Sequence, residues 1–393
     1  MNGIITTMKM KSNYILIIVL SGILSACLNQ KQDLNYNQGL ISVEDSAVQI
    51  LKAQFGDRLT INRDEDSVHV VTVLFWGADS INELPEEIRS FKYLKELIYT
   101  RGKLKVVPEW ITEFEELEHL DFQDNELTKF PSFISKIKKL RSVNIGFNPI
   151  DKIPEDFFLS SKKLEGLFVE KTNINKFPIL FPDSTAIPLK LNLSQTPIDS
   201  IPDEVGDMRI SILNMNDNHL RYISPRLGEV EELHNITFKG SPNLNGQFPD
   251  LGACKNLQTV HLRWCGLTEF PQWITELPNV YSIHLDNNLI KSIPEEIGNC
   301  RNLATMRINH NFIKELPGSI GQLDSLRGLH IEYNSIRTLP EEMFDVKRDT
   351  PCTIFSEGTP IRFLPVTEEK FKEGYKWFEK LNGVIYKDEV SPE

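Results

Sequence analysis

The sequence predicts an α/β repeat solenoid: about thirteen stacked coils, closed by helical caps at both ends. Three observations predict it. A motif recurs with starts at residues 71, 94, 117, 140, 164, 188, 210, 233, 257, 280, 303, 326 and 351, spaced 22 to 25 residues apart and mostly 23. In that frame the fourth position is apolar in all thirteen units, and the sixth and eleventh in twelve each, Ser356 and Asn243 being the exceptions. Proline fills the fifteenth position in eleven units, from Pro85 and Pro108 to Pro340 and Pro365, which is half of the 22 prolines in the chain. Self-similarity at a fixed period marks a supersecondary unit that cannot bury its apolar face alone and stacks to do so.

Composition narrows the function. A formal charge of −12 argues against general nucleic-acid binding, which needs a basic face to displace counterions. A hydrophobic fraction of 40% is that of a folded chain. Five cysteines in 393 residues are too few for a disulfide-built scaffold.

In chain order, Lys9 and Lys11 precede an apolar run, Tyr14 to Leu24, too short for an ordinary spanning helix of roughly 20 residues. It ends in Leu24-Ser25-Ala26-Cys27, which resembles the lipobox of bacterial lipoproteins. That resemblance implies a signal peptide over 1–26 and lipid modification of Cys27, with several acyl chains giving stable membrane anchoring. Leu28, in place of an aspartate after the cysteine, implies the outer rather than the inner membrane. Whether the chain faces the periplasm or the exterior, and whether translation starts at Met1 or Met8, stays open. Residues 27–41 are polar and read as a flexible tether.

Residues 42–70 read as an N-terminal cap. Ser42 to Phe55 has a capping residue, early acids and apolar residues at Val43, Ala47, Ile50, Leu51 and Phe55, stopped by Gly56. A strand pair turning near Asp64-Glu65-Asp66 follows. In the repeats over 71–365, LEHLDFQDNELTKFP from Leu117 and VYSIHLDNNLIKSIP from Val280 superpose without a gap. Alternating apolar positions four and six fit a strand with one buried face. Position nine is Asn125, Asn148, Asn218, Asn288, Asn311 or Asn334 in six units, where a buried amide can bond neighbouring turns; Thr172, Thr196, Ser241, Cys265 and Thr359 replace it in others. The units resemble leucine-rich repeats, LxxLxLxxNxLxxLP. The resemblance implies a horseshoe in which each unit gives one strand to a parallel concave sheet. The unit containing PNLNGQFP before Pro249 resembles the plant-type variant and is expected to bulge on the return. In the C-terminal cap, 366–393, Thr367 to Leu381 reads as a helix laying Phe371, Tyr375, Phe378 and Leu381 over the last coil.

Positions five and seven of such strands face away from the core. In the middle coils they carry Asn192, Asn214 and Asn216. In the C-terminal coils they change character: His261, Arg263, Trp264, His284, Asp286, Arg307, Asn309, His310, His330, Glu332 and Tyr333 gather on adjacent strands. Arg, Trp, Tyr and His combine apolar area with hydrogen-bonding groups, as contact hot spots require, so a protein ligand is expected there. A glycan stacked on Trp264 and Tyr333 is the alternative; a hydrolase or a purely structural envelope protein are further ones. His261, His284 and Asp286 offer two or three metal ligands, but Arg307 beside them opposes a cation, and a pH-sensitive contact is the competing reading. No cofactor is implied. Cys254, Cys265 and Cys300 are expected as free, buried thiols, Cys265 in a column that points into the coil. Replacement of Cys27 by Ala is expected to move the chain from the detergent phase to the aqueous phase in a phase-partition assay; unchanged partition contradicts the lipobox reading.

Overall fold

The computed structural model describes residues 33–64, 69–77, 82–179, 187–345, 351–377 and 385–386. The signal segment, Cys27, Glu65 and Asp66 of the expected turn, Phe378 and Leu381 lie outside the described residues.

A single 15-stranded sheet runs the length of the solenoid. Strand β1 (Leu59–Arg63) pairs antiparallel with β2 (Val70–Trp76), and all later pairs are parallel: β3 (Glu96–Thr100), β4 (His119–Asp121), β5 (Ser142–Asn144), β6 (Gly166–Phe168) and β7 (Leu189–Asn192). After the short β8 (Ser200–Ile201) on the return side comes β9 (Ile210–Asn214), then β10 (Tyr222–Ile223), which pairs with β8 outside the main sheet. The main sheet continues through β11 (Asn235–Thr237), β12 (Thr259–His261), β13 (Ser282–His284), β14 (Thr305–Arg307), β15 (Gly328–His330) and β16 (Cys352–Phe355). β17 (Phe363–Leu364) pairs with β19 (Ile385–Tyr386), and β18 (Tyr375–Trp377) adds to β16. This is a leucine-rich-repeat solenoid, and the expected fold class stands.

Position four is the register line: Leu97, Leu120, Val143, Leu167, Leu191, Leu213, Ile236, Val260, Ile283, Met306, Leu329 and Ile354 are paired along the sheet and buried. The short unit of 22 residues from Pro188 keeps this register with the next by an irregularity between Leu189 and Lys190. The first unit corrects the sequence frame by one residue. Val73, not Leu74, pairs with Leu97, and Val73 and Phe75 are buried. A one-residue slip exchanges the two faces of a strand, and Val73 to Trp76 are all apolar, so alternation could not show the slip.

Each strand ends in a left-handed corner at position eight. The residues are Gly77, Arg101, Asp124, Phe147, Lys171, Gln195, Asp217, Gly240, Trp264, Asn287, His310, Tyr333 and Gly358, all at positive φ. Ladder bonds continue through most of these corners, as in Phe147 N to Glu170 O (2.7 Å), His310 N to Glu332 O and Tyr333 N to Glu357 O (both 2.8 Å). The position-nine asparagine then joins coils. Asn311 Nδ2 donates to Leu285 O of the preceding coil (3.0 Å) and to Ile308 O of its own (2.9 Å), while its Oδ1 accepts from Ile290 N (3.0 Å). Thr172 Oγ1 donates within its own coil, to Val169 O, whereas Thr196 Oγ1 donates to Leu193 O and accepts from Asn218 Nδ2 of the next coil (2.8 Å). Beyond most of the column prolines, a 3-10 turn such as Glu295–Asn299 forms the convex side. The unit before Pro249 does bulge: Leu244 fills the buried place, and Asn245 and Gly246 are left-handed. A Cβ on Gly246 would lie 2.7 Å from Gly266 O, so only glycine fits that close approach.

Both caps depart from expectation in extent. Helix α1 runs Asp33–Phe55, beginning inside the stretch read as a tether; no proline interrupts it, and a formed helix gains one hydrogen bond per added residue. Its buried stripe is Glu44, Ala47, Leu51 and Phe55, whereas Val43 and Ile50 face outward. Glu44 belongs to the stripe because it accepts from Val70 N (3.1 Å) and lies 3.8 Å from Arg63. After the short helix α2 (Glu155–Ser160) on the convex side, the C-terminal helix α3 spans only Glu368–Gly374. Thr367 caps it, Phe371 and Tyr375 pack beside Phe344, and Tyr375 Oη donates to Met343 O (2.6 Å). Past Gly374 the chain becomes β18, because glycine and two aromatics favour leaving the helix and the edge of β16 offers ladder bonds. Cys254, Cys265 and Cys300 are free, buried thiols, Cys352 is buried too, and burial pushes the Cys265 thiol up to about 12.

Asn311→Ala is expected to cost roughly 2–4 kcal/mol in urea unfolding, because buried carbonyl and amide partners in two coils lose their bonds; Thr172→Ala should cost about 1. Equal losses would contradict the coil-joining role of asparagine.

Candidate recognition face

Direct register places the fifth-position side chains of the C-terminal coils side by side: Thr237 with His261, His261 with His284, His284 with Arg307, Arg307 with His330, and His330 with Phe355. Adjacent strands lie about 4.8 Å apart, close enough for flat groups to touch. The rings of His261 and His284 stack at 3.9 Å with 20° between planes, and those of His330 and Phe355 at 3.9 Å with 5°. Arg307 lies between the two stacks. One position seven is nearly sealed: Asp286 is 1% exposed, its Oδ2 accepting from Arg263 Nε and from Asn287 Nδ2 (2.9 Å). Glu332 Oε1 lies 3.3 Å from His330 Nδ1, and Asn309 Nδ2 3.1 Å from His310 Nδ1.

The N-terminal coils use the same positions differently. There Asp121 and Asn144 accept, through Oδ1, from the backbone N–H two residues on, at Gln123 (2.9 Å) and Gly146 (3.1 Å). Asn192 does the same for Ser194 (3.2 Å), so the asparagines of the middle coils are largely structural. Histidine and arginine from coil 257 onward replace these short acceptors. Burial raises the carboxyls of both Asp121 and Glu170, and Asp121 adds to the effect on Glu170.

The expected set divides in two. His261, Arg263, His284, Asp286, Arg307, Asn309, His330 and Glu332 occupy the concave strands and the position just beyond. Trp264, His310 and Tyr333, expected on the strands, instead turn the left-handed corner and form its rim. There they join Asn287, Leu289 and Phe312, which the sequence reading missed, around a shallow hollow of about 510 Å³. Trp264, Leu289, Phe312 and Tyr333 are all exposed. A column count at positions eight and ten would have found them. Tyr333 is not an open platform: its ring lies 4.4 Å from that of His310, and a Cβ on Gly358 would touch it at 2.6 Å.

Neither competing histidine reading matches the geometry. The two stacked rings lie face to face and Arg263 holds Asp286, so the three do not converge; among the described residues no group of three His, Cys, Asp or Glu is placed to hold a metal. Burial, with the positive charges of Arg263 and Arg307 outweighing Asp286, lowers His261. Burial, then His261, Arg307 and Arg263, push His284 down to about 3. Both rings are therefore neutral near pH 7, which corrects the expectation that this pair titrates near 6.5.

No protein-family model matches the sequence, and no curated protein matches it. Among solved structures, a leucine-rich-repeat protein of Leptospira interrogans is similar with TM-score 0.65 and 26% identity, over 74% of this chain and 72% of that one. An internalin of Listeria monocytogenes is similar with TM-score 0.59 and 13% identity, over 88% of this chain and 95% of that one. The Toll–Spatzle complex of Drosophila matches with TM-score 0.56 and 16% identity, over 73% of this chain and 47% of that one. The last two likenesses are ones of fold.

An imidazole lower in the folded than in the unfolded chain takes up its proton on unfolding, so His284 makes stability rise with pH between about 3 and 6.5. The ring resonances of His284 are expected not to titrate between about pH 5 and 8 by NMR, and His284→Gln to flatten the loss of stability on acidification. A midpoint near 6.5 would contradict the buried stack.

Proposed function

We propose that this chain is a lipid-anchored protein of the bacterial cell envelope, outer membrane by its sorting residue, that binds a protein partner through the concave face of its C-terminal coils. The observation that carries the reading is the change at position five. Side chains that satisfy their own strand in the N-terminal coils give way to a continuous row of rings and a guanidinium on β12 to β16. Such groups do nothing for the ladder and supply the contact chemistry of hot spots. The exposed Leu289 and Phe312 on the rim favour apolar protein side chains over sugars. Trp264, exposed at the same rim, is the one feature that favours the glycan reading. The Toll–Spatzle complex shows that a solenoid of this fold can hold a protein, and the reading is consistent with that precedent. Anchoring rests on Leu24-Ser25-Ala26-Cys27.

The test places a photo-crosslinking residue at Asn309 on the concave face or at Glu295 on a convex turn, in intact cells that display the chain. Protein adducts are expected from position 309 and not from 295. Adducts from 295 alone, or sugar-array binding with no adduct at 309, would overturn the proposal.

A further inference from the structure

Resting on that reading, we infer that the partner presents a carboxylate, an Asp or Glu side chain, to Arg307. Several arginines that lie along the coils are neutralised by a carboxylate. Arg141 meets Glu118 and Glu165, Arg209 meets Glu232, Arg226 meets Asp207 and Glu229, and Arg263 meets Asp286. The guanidinium of Arg307 makes no ion pair or hydrogen bond among the described residues. It is nonetheless half-buried, on an interior strand, with His284 on one side and His330 on the other.

The surroundings withhold compensation. His284 is neutral and tied to the His261 stack and to Ser282 Oγ (3.2 Å). Asp286 is held by Arg263 and Asn287. Glu332, the next acid along, lies beyond ion-pair distance and has one oxygen committed to His330. A guanidinium that has lost part of its hydration without gaining a partner has its donors in a planar fork that a carboxylate fills with two parallel bonds. The nitrogens are not among the buried unpaired atoms, so they open on the concave space. The two ring stacks fix the slot's width at about two strand spacings, roughly 10 Å, which admits one extended segment rather than a flat surface. A doubly charged phosphate would meet Glu332 and Glu357 at position seven of the next two coils; a single carboxylate matches the single uncompensated charge.

The experiment selects a display library of random linear peptides on the purified full chain. Recovered peptides are expected to be enriched in Asp or Glu over the input. Changing that acid to its amide, or Arg307→Gln in the chain, should weaken binding roughly tenfold or more, with no further loss when the two are combined. Circular dichroism checks that Arg307→Gln stays folded. Recovery of no peptide, no acid enrichment, or acid-bearing peptides indifferent to Arg307→Gln would overturn the inference. If the unenriched peptides still lose binding in a His261→Ala, His330→Ala double variant, the concave reading survives without the carboxylate; if they do not, both fall.

Discussion

The structure depends on how each coil satisfies buried backbone at the corner where its strand ends. The turn must be left-handed for the chain to leave the sheet and close a coil of about two dozen residues, and in ten of these thirteen corners the residue is not glycine. A left-handed L-residue costs roughly 1–2 kcal/mol. The corner survives because the sheet ladder continues through it and the position-nine side chain bonds carbonyls of its own and the preceding coil. Stacking is thus what makes a single coil possible, and the caps matter because the terminal coils have a neighbour on one side only.

That dependence explains what the sequence revealed. Columns four, six, nine, eleven and fifteen were legible because the same physical demand recurs coil after coil, so single exceptions such as Asn243 did not obscure them. The corner column was not legible. Arg101, Phe147, Lys171 and Gln195 carry no preference for a left-handed backbone, and coil closure imposes it on them. The first strand was misframed where Val73 to Trp76 offered no alternation. Val43 and Ile50 fit the helical period but lie on the outer edge of the apolar face, and the stripe that is buried is turned toward Glu44, whose partners, Val70 N and Arg63, are remote in sequence.

The candidate face was legible as a row of residue types but not as an arrangement. The sequence put His261, His284 and Arg307 on neighbouring strands, and register confirms that they align. It could not show that the histidines stack and lose their usual titration, or that Asp286 is sealed by Arg263. Nor could it separate the strand face from the rim, since that division follows from the unseen corner: Trp264, His310 and Tyr333 leave the strand plane because position eight is left-handed. The resulting surface has a polar, ring-lined floor and an apolar margin on one side. The acids dominating the chain's net charge lie largely elsewhere.

Radical footprinting of the chain with and without bound partner tests this division of surfaces most directly. The account predicts that oxidation of His261 and Trp264 falls on binding, while that of exposed Tyr281, on the strand-start flank, stays unchanged. Protection of Tyr281 with His261 and Trp264 left reactive would contradict it.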